Sequence, residues 1–156
     1  MKSETLKIQG SDCMLHAKLE KPADGVIQQY AIFAHCFTCS SNLAVVRHIS
    51  QTLTLQGIAV LRFDFTGLGN SHGDFAETNF SSNVSDLVAV SDYLTKHYES
   101  PEILIGHSLG GAAVLMAASR LENIKAVVTI GAPSDPLHVR KLFNVNLPKI
   151  EECGEA

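Results

Sequence analysis

The residues with the most chemical potential are Gly106-His107-Ser108-Leu109-Gly110. A serine hydroxyl becomes a useful nucleophile only where a turn presents it and neighbours take its proton and hold the new charge. The G-x-S-x-G spacing meets the first requirement. Small residues on both sides of the serine permit a sharp turn from strand to helix, with the serine held in a sparsely populated backbone conformation. The flanks agree: Glu102-Ile103-Leu104-Ile105 is a short apolar run, and Leu109 to Leu121 is rich in Ala and Gly. Such a turn sets Ser108 at a helix N-terminus, where free N–H groups and the helix dipole favour an oxyanion. The N–H of Leu109 is one candidate donor. The implied chemistry is acyl transfer. The competing reading is a plain tight turn in which Ser108 merely caps the helix.

The rival constellations are weaker. Cys36-Phe37-Thr38-Cys39 is a C-x-x-C between an apolar run and a helical pattern, a place where a helix N-terminus would lower the pKa of Cys36. The element order is wrong for a thioredoxin-like protein, so two free thiols in a loop is the favoured reading. His35 is adjacent, but no second ligand pair stands at zinc-finger spacing. Gly67-x-Gly69-x-x-x-Gly73 follows a strand, yet Asp74 to Thr78 intervene before any helix, which argues for a turn rather than a phosphate cradle. His16, His48 and His97 read as solvated or packed side chains, and His72 as loop packing.

The elements that must position these residues follow from periodicity. Leu6 and Ile8, then Leu15, Ala17 and Leu19, alternate with polar residues on either side of Gly10-Ser11-Asp12, which predicts a half-exposed antiparallel hairpin. Tyr30–Ala34, Ile58–Phe63, Glu102–Ile105 and Ala126–Ile130 are short apolar runs of the kind buried on both sheet faces. Val46, Ile49, Ser50 and Leu53 predict a helix, with Ser40, Ser41 and Asn42 as capping candidates and Gly57 as its stop. Phe80 to Tyr98 predicts a second helix, capped by Asn79 and ended before Pro101. Strands alternating with helices argue for βαβ units and a mostly parallel sheet.

Composition bounds the rest. The chain has 156 residues, 12 basic and 16 acidic, for a net charge of −4, with 46% apolar and 18% charged residues. That suits one folded domain and excludes a disordered chain. With no long basic run, nucleic acid is a poor partner. No apolar run reaches the roughly 18–20 residues of a membrane span, and the N-terminus alternates rather than forming a signal core. Four cysteines at this length suggest a reducing, cytoplasmic setting.

These motifs together resemble the α/β-hydrolase family. His35-Cys36-Phe37 stands where many such enzymes have His-Gly-x, and the resemblance makes the N–H of Phe37 the second oxyanion donor beside that of Leu109. Asp64-Phe65-Thr66-Gly67-Leu68-Gly69-Asn70-Ser71 resembles the D-x-R-G-x-G-x-S loop, with Thr66 in place of Arg. Ala34–Ser40, Leu61–Gly69 and Thr129–Pro133 resemble more narrowly the hydrolase half of proteins that fuse this fold to an OsmC-like domain. The resemblance implies a three-layer α/β-hydrolase-type sandwich over residues 1–143, with the hairpin at one edge and the strand before Ser108 near the centre. Residues 144–156 form an acidic tail.

It also implies serine hydrolysis of an ester, thioester or amide of a small acyl substrate, without metal or organic cofactor. The family requires an acid and a histidine on later, separate loops. After Ser108 this chain has one histidine, His138, and one aspartate, Asp135, three residues apart, as candidate base and acid; His35 and His72 are further histidines to test. Nothing here resembles the family's later strands, so the chain reads as the front portion of such a fold. Ala126–Ile130 would then be an apolar edge open to a second copy or a partner chain. Two alternatives stay open: a non-catalytic scaffold that binds a small molecule or a protein, and a thiol redox protein using Cys36 and Cys39.

Overall fold

The computed structural model describes residues 1–36 and 38–135. The alternating N-terminal segments form β1 (Lys2–Gln9) and β2 (Met14–Lys21), paired antiparallel with Leu6 opposite Ala17 and Ile8 opposite Leu15. The apolar runs become β3 (Gln29–Ala34), β4 (Ile58–Phe63), β5 (Ile103–His107) and β6 (Ala126–Ile130). They join the hairpin in a six-stranded sheet of order β1-β2-β4-β3-β5-β6. The β4–β3, β3–β5 and β5–β6 pairs are parallel, and β2 meets β4 antiparallel.

Helices cover both faces because the central strands are apolar on both. On one side α1 (Ala44–Thr54) packs Val46 against Ala31, Phe33, Val60 and Ile105. On the other, α2 (Phe80–His97) and α3 (Leu109–Ala118) bury Val84, Leu87, Leu94, Ala113 and Val114 against Ile32, Leu61, Phe63 and Leu104. This is the expected three-layer sandwich.

Several expectations change in detail. Asn79 does cap α2: its side chain accepts from Ser82 N–H while the Ser82 hydroxyl accepts from Asn79 N–H. The N-cap position of α1 is instead Leu43, which offers no side-chain cap. Ser41, one of the expected caps, gives its N–H to Asp64, a stronger charged acceptor. The helix α3 ends at Ala118 rather than Leu121. The strand β5 is not central among the described strands, since β6 alone lies beyond it. The expectation for β6 holds: among the described strands it is an edge strand with an interior strand's composition, and Val128 is 46% exposed.

Candidate active site

Strands β3, β4, β5 and β6 deliver their C-terminal ends to one edge of the sheet, and the motifs meet there. Ser108 lies between β5 and α3 with φ +53° and ψ −121°, as the N-cap residue of the helix. A non-glycine residue at positive φ is uncommon and costs about 1–3 kcal/mol. Backbone bonds hold the turn: Ser108 N–H donates to Ile130 O at the end of β6 (2.8 Å), and Gly111 N–H donates to Ser108 O (2.9 Å). The glycines are there for space. A Cβ at Gly106 would run into the backbone of Gly110, and one at Gly110 into the carbonyls of Ala34 and His35. The helix start thus lies directly on the end of β3.

The facing segment, the loop after β3, is held by side chains from elsewhere. His35 is buried. Its Nδ1 lies 2.7 Å from the Cys36 carbonyl and its Nε2 3.3 Å from the N–H of Phe65. A backbone N–H can only donate, so Nε2 accepts and the proton sits on Nδ1. Burial holds the pKa of His35 below the ordinary histidine range, so this neutral form persists. With both nitrogens committed, His35 is a brace and not a free base for Ser108.

Asp64 is fully buried and anchors both neighbouring loops, accepting from Ser41 N–H (2.6 Å) and Asn70 N–H (3.0 Å). A Cβ at Gly69 would overlap its carboxylate. The glycine-rich segment therefore makes room for an internal carboxylate, not for a phosphate. His16 Nδ1 lies 3.4 Å from the same group. Arg62 completes the brace, pairing with Glu20 (Nη2 to Oε1, 2.8 Å) and donating from Nη1 to Ser41 O and to Asn42 Oδ1. Both charges are nearly fully buried. Sequence reasoning missed Arg62 and Glu20. The only signal was Arg62 inside the apolar run of β4; Glu20 sits among other polar residues of the alternating β2.

Thr66, where the family pattern has Arg, bonds instead to Asp86 on α2: its N–H donates at 2.9 Å and its hydroxyl at 3.1 Å. Burial raises the pKa of Asp86. His72 holds its loop through its backbone, donating to Met14 O and accepting from Gly67 N–H, as expected of loop packing.

The expected free thiols at Cys36 and Cys39 are corrected. They form a disulfide, with Cα atoms 5.3 Å apart. A turn in which Cys39 N–H donates to Cys36 O brings them within bridging reach. Thr38, inside the ring, has φ +56°. Among the described residues Cys13 is a free thiol, and no group of three or more His, Cys, Asp or Glu is placed to hold a metal.

A small cavity, about 10 Å³, lies between the two loops, lined by Cys36, Phe65, Leu68, Phe75, Asn83 and Leu109 among others. Phe37 and His138 lie outside the described residues. Asp135 is exposed on the segment after β6. No described side chain hydrogen-bonds the Ser108 hydroxyl. Among the described residues no helix is long and apolar enough to cross a membrane.

Residues 29–149 match the family described as serine aminopeptidase, S33. The mitochondrial palmitoyl-protein thioesterase ABHD10 of rat is 38% identical over 80 residues, covering 51% of this chain and 26% of the relative. The solved esterase domain of a Rhodothermus marinus protein is 50% identical, with TM-score 0.74, covering 90% of this chain and 54% of that one. XC6422 of Xanthomonas campestris, an α/β serine hydrolase without a lid, is 27% identical, with TM-score 0.77, covering 87% and 64%. The chain thus spans about half the length of the esterase domain, and its match spans about a quarter of the thioesterase.

Proposed function

The chain belongs to the serine aminopeptidase (S33) family of α/β hydrolases, of esterase and thioesterase type, and on that premise we propose that it cleaves an ester or thioester of a small acyl group through Ser108. The observation that carries this reading is the positive φ of Ser108 at the start of α3. A residue that only had to turn the chain there would be glycine, at no steric cost. A serine in that conformation keeps a hydroxyl at the open end of the sheet. In this reading Ser108 Oγ bonds to the acyl carbon, and the carbonyl electron pair moves to oxygen. The N–H groups of Leu109 and Phe37 hold that oxyanion. Its collapse expels the alcohol or thiol, and water then releases the acid from the acyl-serine.

The serine proton needs an acceptor. Asp135 and His138, on the segment after β6, are the first pair to test, because Ile130 at the end of β6 accepts the N–H of Ser108. The decisive measurement is intact mass after exposure to a fluorophosphonate probe, on the chain and on Ser108→Ala. One adduct on the unsubstituted chain alone is the expected result. A folded, monodisperse chain that takes no adduct overturns the reading and leaves a scaffold without an activated nucleophile. Loss of labelling in His138→Gln and Asp135→Asn, with the fold retained, would assign base and acid to that segment.

A further inference from the structure

We propose that Cys36 and Cys39 are a reversible thiol–disulfide site through which a dithiol resets the loop between β3 and α1. The two sulfurs differ in access. Cys36 is 8% exposed and lines the cavity with Leu109 and Gly110, whereas Cys39 is only half-buried. An incoming thiolate therefore attacks Cys39 Sγ. The S–S bond breaks, a mixed disulfide forms at Cys39, and Cys36 leaves as a thiolate. The second thiolate of the reductant then attacks the reductant's own sulfur and expels Cys39 as a thiolate. Both protein thiolates take up protons. Two electrons and two protons have passed to the protein, and the dithiol has become a cyclic disulfide.

The bond matters because of what else holds this loop. His35 is fixed by Cys36 O and Phe65 N–H, and Ser41 by Asp64 and Arg62. Between those anchors, among the described residues, the Cys36–Cys39 turn is held by the disulfide and a 3.2 Å backbone bond from Cys39 N–H to Cys36 O. It also contains Thr38, a β-branched residue at φ +56°, a conformation such residues avoid. Opening the ring lets Thr38 return to negative φ and frees the Cys36–Phe37 peptide group to turn, giving up the bond from His35 Nδ1 to Cys36 O, while the His35–Phe65 and Ser41 anchors stay in place. Phe37 belongs to this ring. On the hydrolase reading, reduction therefore displaces an oxyanion donor; that consequence rests on the reading, whereas the loop switch does not.

The test uses the full chain, oxidised and after treatment with dithiothreitol. Alkylation and intact mass across graded ratios of reduced to oxidised dithiothreitol are expected to show two thiols appearing and disappearing reversibly in the folded protein. A pair that stays closed until the chain unfolds, or that is already free in the oxidised sample, overturns the proposal. Amide exchange over residues 35–43 is expected to speed several-fold on reduction while 106–112 stays unchanged; unchanged exchange over the loop also overturns it. The double variant Cys36→Ser, Cys39→Ser should behave as the reduced form whatever the reagent. Thr38→Gly, which tolerates positive φ without the bridge, should shrink the difference. Fluorophosphonate labelling should slow on reduction by about tenfold or more, as expected for a lost oxyanion donor. Equal labelling rates in both forms overturn the coupling to Ser108. Absence of labelling in both forms overturns the hydrolase reading, and amide exchange then still decides the switch.

Discussion

The two segments that face each other across the candidate site are built in opposite ways. The Gly106–Gly111 turn is shaped by missing side chains: glycines let α3 touch the end of β3, and the bonds that close the turn are backbone to backbone. The loop from His35 to Asn42 is shaped by side chains contributed at long range, from Glu20 on β2, Arg62 on β4 and Asp64 just after it, with a disulfide added. The first segment is set by small residues and backbone bonds, one of them from Ser108 N–H to Ile130 O on β6. The second keeps its geometry only while the sheet beneath it is intact. A serine turn set by close backbone packing therefore stands opposite a loop set by distant side chains.

Breaking the brace should have the largest effect. Arg62→Met leaves Glu20 buried without its partner and is expected to cost about 3–5 kcal/mol in urea unfolding. Adding Glu20→Leu should recover most of that stability, yet amide exchange over 35–43 should stay fast, because Ser41 O and Asn42 Oδ1 still lack their donor. A cost below about 1 kcal/mol for Arg62→Met, the range of an exposed pair, would dissolve the contrast between the two segments. Gly110→Ala tests the other side. Its Cβ meets the Ala34 and His35 carbonyls, and such overpacking costs about 1–3 kcal/mol. Because α3 must lift from β3, fluorophosphonate labelling at Ser108 should fall with it; unaltered stability and labelling would mean the close approach is unnecessary.

The smallest effect is a pH dependence. Burial depresses the pKa of His35 in the folded chain. Below the ordinary histidine value of about 6.5 the unfolded chain binds a proton that the folded one refuses. Stability should therefore be complete above that value and fall as the pH drops through it toward the folded pKa. Replacing His35 with Gln should flatten this part of the profile in unfolding midpoints measured between pH 7 and 5. An unchanged slope would place the titration in another group.

Much of this was legible before any coordinates. The hairpin, both amphipathic helices, the Asn79 cap and the serine turn all follow from alternation, helical spacing, capping chemistry and glycine placement, which act over a few neighbouring residues. The site was legible only in part. Ser108 stood out because its turn is local, while His35 looked like a spare histidine until Phe65 and Cys36 were seen to occupy both ring nitrogens. Cys36 and Cys39 read as free thiols because spacing alone does not say whether the chain turns between them.

The sequence by itself determined the fold class and the serine turn, since both rest on short-range sterics and on the period of the apolar residues. Only the tertiary structure decided that Arg62, Glu20 and Asp64 hold the facing loop and that Thr66 pairs with Asp86. Those facts depend on which residues distant in sequence meet once the sheet is assembled. A buried charge is stable only with its partner, and the partner's position is fixed by strand order and register, which no local pattern encodes.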